Sequence, residues 1–395
     1  MKLSDVCFEM HQGINTVADK VKYYESGTPI LQSKNITNGI LDLEDVRFVN
    51  ENDYNKYKEK YIPHKGNILL SNIGTIGKSL LIEEEKNFLI AWNIFLIKVN
   101  ESKINSKFLN FYFQYLDMSN YYNKYLTGGT VKFINKKTME NIEIPNISLV
   151  NQIEIANKLE KVQKMIDIRK KQIEELDKLI KSQFVGMFGT PFNNDKWEIK
   201  KLGDIANSIT DGSNVDTKYY KGGGEVLFLR IQNVWRNEFR LEDSVYISKE
   251  VNKKYFDTSL HTGDLLISKI GRYYTKDSSL GRVSIYRGEN DMANHSNNVM
   301  RIRLKPEYNS EFINIVLNLD DYQQHIRRKS KGGTDKRALS KKVIENFPII
   351  NPPIEIQIKY IEFVKLIDKQ KFEIQKSLEE TQKLQESLMN KYFGE

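Results

Sequence analysis

Apolar residues along this chain change their rhythm in the same way twice. Up to Ile144 they come in short runs set between turn residues, as in Gly66 to Ser71, Phe88 to Val99 and Ile142 to Ile144. Short runs bounded by Gly, Asn and Pro predict strands. Phe108 to Tyr115 and then Tyr121 to Leu126 have helical spacing. From Leu149 to Phe188 the pattern becomes heptad-like. Leu159, Ile166, Ile173, Ile180 and Met187 hold one seam position, Val162 and Leu176 the other, and Arg169 and Gln183 interrupt it. Lys, Glu, Gln and Asp fill the remaining positions. This spacing predicts one long helix with a coiled-coil face, roughly 60 Å long at about 1.5 Å per residue. Gly189-Thr190-Pro191 ends it. The second half repeats the plan. Strand-like runs at Val226 to Ile231, Asp264 to Ser268 and Val299 to Leu304 precede Asn351-Pro352-Pro353, which opens another long helix reaching about Tyr392. Proline is tolerated in a first helical turn. Val364, Ile367, Ile374, Leu378 and Leu388 supply its seam.

The repetition extends to residues. Lys2-Leu3-Ser4-Asp5-Val6 returns as Lys201-Leu202-Gly203-Asp204-Ile205, and Gly66-Asn67-Ile68-Leu69-Leu70-Ser71 as Gly263-Asp264-Leu265-Leu266-Ile267-Ser268. Gly128-Gly129-Thr130 returns as Gly332-Gly333-Thr334, and Phe188-Gly189 as Phe393-Gly394. Four matches in one order mark a tandem duplication. The repeat is too long for a solenoid unit and has the size of a domain plus a helix. The reading is therefore α+β, with two mixed domains at 1–148 and 190–350 and a long helix after each, at 149–189 and 351–395. An amphipathic helix of this kind exposes its apolar stripe unless a partner covers it. The simplest partner is the other helix of the same chain, packed antiparallel as a coiled coil that holds the two domains apart.

Composition adds a hint of partner. Among 395 residues, 39% are hydrophobic and 28% charged, and the net charge is +8. A low apolar share suits long exposed helices. A basic balance favours a polyanionic partner, because Lys and Arg displace the counterions condensed on phosphates; an AT-rich, lysine-rich coding bias gives the same composition. The single cysteine, Cys7, excludes an internal disulfide and a cysteine-based metal site. It sits in an apolar stretch, as packing rather than as a nucleophile. No apolar signal segment opens the sequence and no uncharged run is long enough to span a bilayer, so the expectation is a soluble, cytoplasmic protein without a membrane partner.

Domain openings, Gly-Asn/Asp-hydrophobic-Ser turns and helix entries together resemble the specificity subunit of type I restriction-modification systems. The entries are Ile144-Pro145 followed by Val150-Asn151-Gln152-Ile153, and Ile349-Ile350-Asn351-Pro352-Pro353 followed by Ile356-Gln357-Ile358. The family usually has Glu-Gln where this chain has Asn-Gln and Ile-Gln. The resemblance covers the whole chain. It implies two target recognition domains, each reading half of a split site in double-stranded DNA, and two helices acting as a spacer. It implies no catalysis and no cofactor in this chain. Two methyltransferase subunits would bind S-adenosylmethionine and methylate adenine, and restriction/translocase subunits would use ATP and Mg. The neighbouring readings are a specificity subunit of a related multi-subunit defence or type II system, and a protein-only coiled-coil adaptor.

Two motifs imitate catalysis. Asn351-Pro352-Pro353-Ile354 resembles the adenine methyltransferase motif, but Ile354 cannot stack a flipped base. Gly74-Thr75-Ile76-Gly77-Lys78-Ser79 resembles a phosphate loop, but Asn72 stands where the first glycine is required. It reads as a turn between strands, with Lys78 retained as a phosphate contact. His11, His64, His261, His295 and His325 are scattered, without the spacing of a helical metal pair.

The DNA-contact candidates are spread over both halves. The densest basic stretch runs from Arg327 to Arg337 and offers Lys331, Lys336 and Arg337 beside glycines that permit close approach to a phosphate. Its first-half counterpart carries only Lys132. The paired tracts Gln32-Ser33-Lys34-Asn35 and Arg230-Ile231-Gln232-Asn233 end strand-like runs. Lys34, Asn35, Arg230, Gln232 and Asn233 are side-chain types suited to phosphates or to bidentate bonds with base edges. Lys269, Arg272 and Lys276 belong to a basic-aromatic loop, and His295 to a polar loop within reach of bases.

Overall fold

The computed structural model describes residues 1–37, 39–128, 131–192, 194–275, 277–333 and 335–394. The chain forms two compact units, Met1–Lys171 with Ile374–Glu395, and Gln172–Glu373.

In the first unit, four antiparallel strands lie in the order Cys7–Gln12, Ile94–Val99, Ile68–Ser71, Ser79–Leu81. A second sheet has Thr28–Leu31 at its centre, antiparallel to Arg47–Val49 and parallel to Leu89–Ile90. The second unit repeats both sheets. Its four strands run Ala206–Asp211, Val299–Leu304, Leu265–Ser268, Val283–Ile285, and its smaller sheet places Val226–Leu229 between Val245–Ile247 and Ala293–His295. Even the irregularities are shared. The first strand of each large sheet shifts register near its start, between Cys7 and Glu9 and between Ala206 and Ser208. Each first strand then runs into a glycine, Gly13 or Gly212, where a Cβ would lie 2.2 Å from the Ile90 carbonyl oxygen or 2.3 Å from that of Ser296. A side chain at either position would force the two sheets of its unit apart.

Each unit buries one face of its large sheet under helices. Ser106–Met118 supplies Phe108, Leu109 and Phe113 to a core shared with Ile68, Leu70, Phe95 and Ile97. Ser310–Asn318 supplies Phe312, Ile313 and Val316 to the corresponding core, with Leu265, Ile267, Met300 and Ile302.

The long helices are Leu149–Phe188 and Ile354–Phe393. Both begin the same way. The Gln152 side-chain amide donates to the Ile147 carbonyl (2.7 Å), and that of Gln357 to the Pro352 carbonyl (2.8 Å). The duplicated glutamines therefore tie each helix entry to the segment just before it. Pro352 and Pro353 lie just ahead of the helix rather than within its first turn. The helices pack antiparallel. In the first unit, Gln385 donates to Gln163 (2.7 Å) and Arg169 to Ser377 (3.0 Å), while Leu159, Met389 and Phe393 enter the domain core. In the second, Lys371 pairs with Asp177 and the Tyr360 hydroxyl donates to the Ile180 carbonyl (3.0 Å), while Phe184, Phe188, Tyr360 and Ile361 enter the other core. Arg169, an interruption in the apolar seam, thus meets a polar partner across it. Each helix pair is part of its unit's core as well as a coiled coil.

Candidate nucleic-acid interface

The second unit carries a groove of about 850 Å³ lined by Gln232, Trp235, Arg272, Arg282, Asn298 and Lys336, among others. Its position follows from topology. The loop after Leu265–Ser268 is long enough to form its own strand, Ile270–Arg272, which pairs with Lys336–Ala338; Lys331–Gly332 pairs with the far side of Lys336–Ala338. This ribbon brings Arg272, Lys331, Lys336 and Arg337 together. Arg272 stands opposite Lys336, and Arg337 lies over the Tyr273 ring at 3.9 Å while Arg272 pairs with Asp335 at 3.5 Å. Arg272, Lys331 and Lys336 are exposed. Gln232 reaches the rim from the short helix Ile231–Asn233, its amide 3.2 Å from Asp243. The groove thus joins Gln232, Arg272 and Lys336, which are far apart in sequence.

The other expected contacts fall elsewhere. Lys276 lies outside the described residues, as do Gly129, Thr130 and Thr334 of the glycine motifs. Gly332 does not open the ribbon to a ligand. Its φ is +147°, and a Cβ there would lie 2.6 Å from the Lys336 carbonyl oxygen, so the close approach is made by the chain's own next strand. Lys269 is half-buried and paired with Asp211 at 2.5 Å. Arg230 pairs with Asp243 at 3.6 Å. In the first unit, Lys34 pairs with Asp45, Lys78 pairs with Asp117 at 2.6 Å, and Lys132 is exposed. The residues Gly74 to Lys78 do form a turn, between Ile68–Ser71 and Ser79–Leu81.

Three candidates are corrected. Asn35 and Asn233 are 2% and 0% exposed and do one structural job twice. Each side-chain oxygen accepts from the backbone at the strand end, Gln32 N or Arg230 N, both at 2.9 Å. Each amide then donates across the following loop, to the Asp42 carbonyl (3.0 Å) or the Arg240 carbonyl (2.9 Å). Such an asparagine pins a loop and has no free edge for a base. His295 is the third. It belongs to the strand Ala293–His295 rather than a polar loop and is fully buried, with Nδ1 3.1 Å from the Thr258 carbonyl. Burial, reinforced by Arg301, depresses its pKa to about 3, so it is neutral at physiological pH. Burial likewise pushes the Cys7 thiol up to about 12, which removes the thiolate a nucleophile needs.

Sequence reading missed Trp235, Arg282 and Asn298. Trp235 lies two residues after the Arg230-Ile231-Gln232-Asn233 tract, and a tryptophan beside such a tract was the available signal. Among the described residues, no His, Cys, Asp and Glu cluster has metal-site geometry, and no helix is long and apolar enough to cross a membrane.

One framework written twice, with different charged and aromatic residues in the loops above it, defines a class of duplicated recognition proteins. The model of the type I restriction modification DNA specificity domain matches residues 1–178 and again 194–385, and the chain belongs to that family of specificity subunits. It is 25% identical to the type I restriction enzyme MjaIX specificity subunit of Methanocaldococcus jannaschii, over 97% of this chain and 90% of that one. It is 23% identical to the StySPI specificity subunit of Salmonella potsdam, over 98% and 85%. The fold matches the crystal structure of the M. genitalium type I S subunit with a TM-score of 0.55 at 15% identity, covering 99% of this chain and 94% of that one. A chain from a structure addressing complex assembly of a type I system gives 0.56 at 14% identity, with 100% and 96% covered. Specificity subunits are the non-catalytic, DNA-recognition components of their enzymes, and this chain is one of them.

Proposed function

We propose that each unit reads one half of a bipartite site in double-stranded DNA, and that the paired helices set the gap between halves. The observation that carries this reading is the duplicated framework, alike down to its glycines and loop-pinning asparagines, beneath unlike loops. The second unit presents Arg272, Lys331, Lys336 and Arg337 on a ribbon. The first has Lys132 at the matching place. Cations on such a ribbon, Arg272, Lys331 and Lys336 among them exposed, fix register on phosphates, and polar groups such as Gln232 read base edges. The two half-sites therefore differ in sequence.

The long helices also offer a surface for partner subunits. Ile168 and Leu384 in the first unit and Val185, Leu366 and Phe372 in the second are exposed apolar residues on them. Apolar side chains repeated along helices suit coverage by another protein. The occupants in this reading are two methyltransferase subunits, which bring S-adenosylmethionine, and through them restriction/translocase subunits using ATP and Mg. The assembly works in the cytoplasm, where its DNA is.

Mapping methylated adenine in a host genome with and without this gene tests the reading. The expected result is an interrupted motif, with two defined halves around an unread spacer, whose methylation disappears on deletion. A continuous motif, or marks that survive deletion, would overturn it.

A further inference from the structure

The two units treat one cation differently. Gly77 N donates to Ser71 O (2.9 Å) and Ser71 N to Lys78 O (2.9 Å). Gly281 N donates to Ser268 O (2.8 Å) and Ser268 N to Arg282 O (3.0 Å). Arg282 therefore occupies in the second unit the place of Lys78 in the first. Lys78 is neutralised by Asp117 at 2.6 Å. Arg282 is only 7% exposed, yet no carboxylate among the described residues forms an ion pair with it, and its guanidinium makes one hydrogen bond there, from Nη2 to the Asp277 carbonyl.

What Arg282 has instead is a platform. Its guanidinium carbon lies 3.6 Å from the centre of the Trp235 ring, and that of Arg240 lies 3.5 Å from it. Two cations that close to one ring centre must occupy opposite faces. The ring is fixed by its own N–H, which donates to the Gln232 carbonyl at 2.9 Å, and Arg240 by Glu238 at 2.8 Å. Stacking fixes the plane of the Arg282 fork, and Arg282 forms part of the groove wall. Burial weakens its hold on the proton, Arg240, Arg236 and Arg327 push the same way, and Asp277 opposes them. A buried cation held in no ion pair is costly, and groups of this kind cluster at sites where a ligand completes them.

We propose that Arg282, held flat by Trp235, contacts DNA by donating its fork to a paired acceptor: two oxygens of a backbone phosphate, or O6 and N7 of a guanine. The proposal rests on the DNA-reading role of the second unit. Trp235 acts as a positioning residue.

The test uses the full chain assembled with its methyltransferase subunits, binding a duplex library of randomised sequence over a range of salt. Arg282→Lys keeps a charge but loses the fork, and Arg282→Met keeps the packing. Both variants lose about tenfold or more in affinity. A guanine partner shows as relaxed preference at one base position. A phosphate partner shows as uniform weakening, with the slope of log K against log salt reduced by about one. Trp235→Leu reproduces part of the loss, and Trp235→Phe restores it. Because the buried cation forms no ion pair among the described residues, Arg282→Met leaves Tm unchanged or raises it. Unfolding of Arg282→Met would make the cation structural and overturn the proposal. So would unchanged affinity, preference and salt slope in folded variants. Failure of the wild-type complex to bind any duplex is a separate result, and it would sink the DNA-reading role itself.

Discussion

At the residue scale, polarity is legible in a sequence and burial is not. Asn35 and Asn233 stand out because they recur at matching places, and the recurrence is meaningful, but it preserves a loop clamp rather than a base contact. Both amide roles are spent inside the protein, and only the folded loop reveals that. Asn233→Ala should cost about 1–3 kcal/mol by leaving backbone groups unsatisfied, seen as a lower Tm with unchanged base preference in the folded fraction. His295 shows the same limit. Its flanking Asn and Ser residues suggest a loop, while strand pairing with Leu229 buries it. The consequence is a pH dependence. The ordinary histidine value is 6.5, and the folded value is about 3. Below pH 6.5 the unfolded chain takes a proton that the folded chain refuses. Stability is therefore full above that pH and falls as pH drops towards 3, by at most about 1.4 kcal/mol per pH unit. Denaturation across this window should give a shallower dependence for His295→Gln than for wild type. Equal slopes would show that His295 is not the group responsible.

At the scale of elements, the long helices were the most legible part of the chain. Heptad spacing sustained over many turns has few structural meanings, and the partner helix accounts for the buried seam at Leu159, Val162 and Ile166 and at Ile367 and Leu378. The long loop around Ile270–Arg272 was the least legible. Its strand exists only by pairing with Lys336–Ala338, a distant segment with no strand pattern of its own. That pairing creates the groove, so Arg272 and Lys336 were nameable in advance but their shared site was not. The seam also leaves residues over. Phe372 and Leu366 are 67% and 56% exposed on a helix whose other face is covered. Substituting both by Glu should change folding stability by no more than about 0.5 kcal/mol each. The same change should stop the methyltransferase subunit from co-purifying. Retention of that subunit by a folded double variant would remove this face from the interface.

At the scale of the molecule, the helices are proposed as a ruler, and a ruler has both length and angle. Four residues inserted after Glu175 and four after Phe372, which lie near one another in register around the Asp177–Lys371 pair, lengthen each helix by about 6 Å and advance it by about 40°. One further base pair of duplex adds about 3.4 Å and about 34°, in the same right-handed sense. The insertion matches one base pair in angle and nearly two in length, so the preferred spacer should grow by one or two. A seven-residue insertion makes the opposite compromise. It preserves the apolar seam, adds about 10.5 Å and turns the helix back by about 20°. Three added base pairs match that length but turn the duplex forward by about 100°. The heptad variant should therefore fold at least as well as the four-residue variant and yet methylate no spacer length efficiently. Methylome mapping of both variants separates the alternatives. An unchanged spacer in the four-residue variant would show that the helices do not measure the site, whereas efficient methylation by the heptad variant would show that they set distance without setting angle.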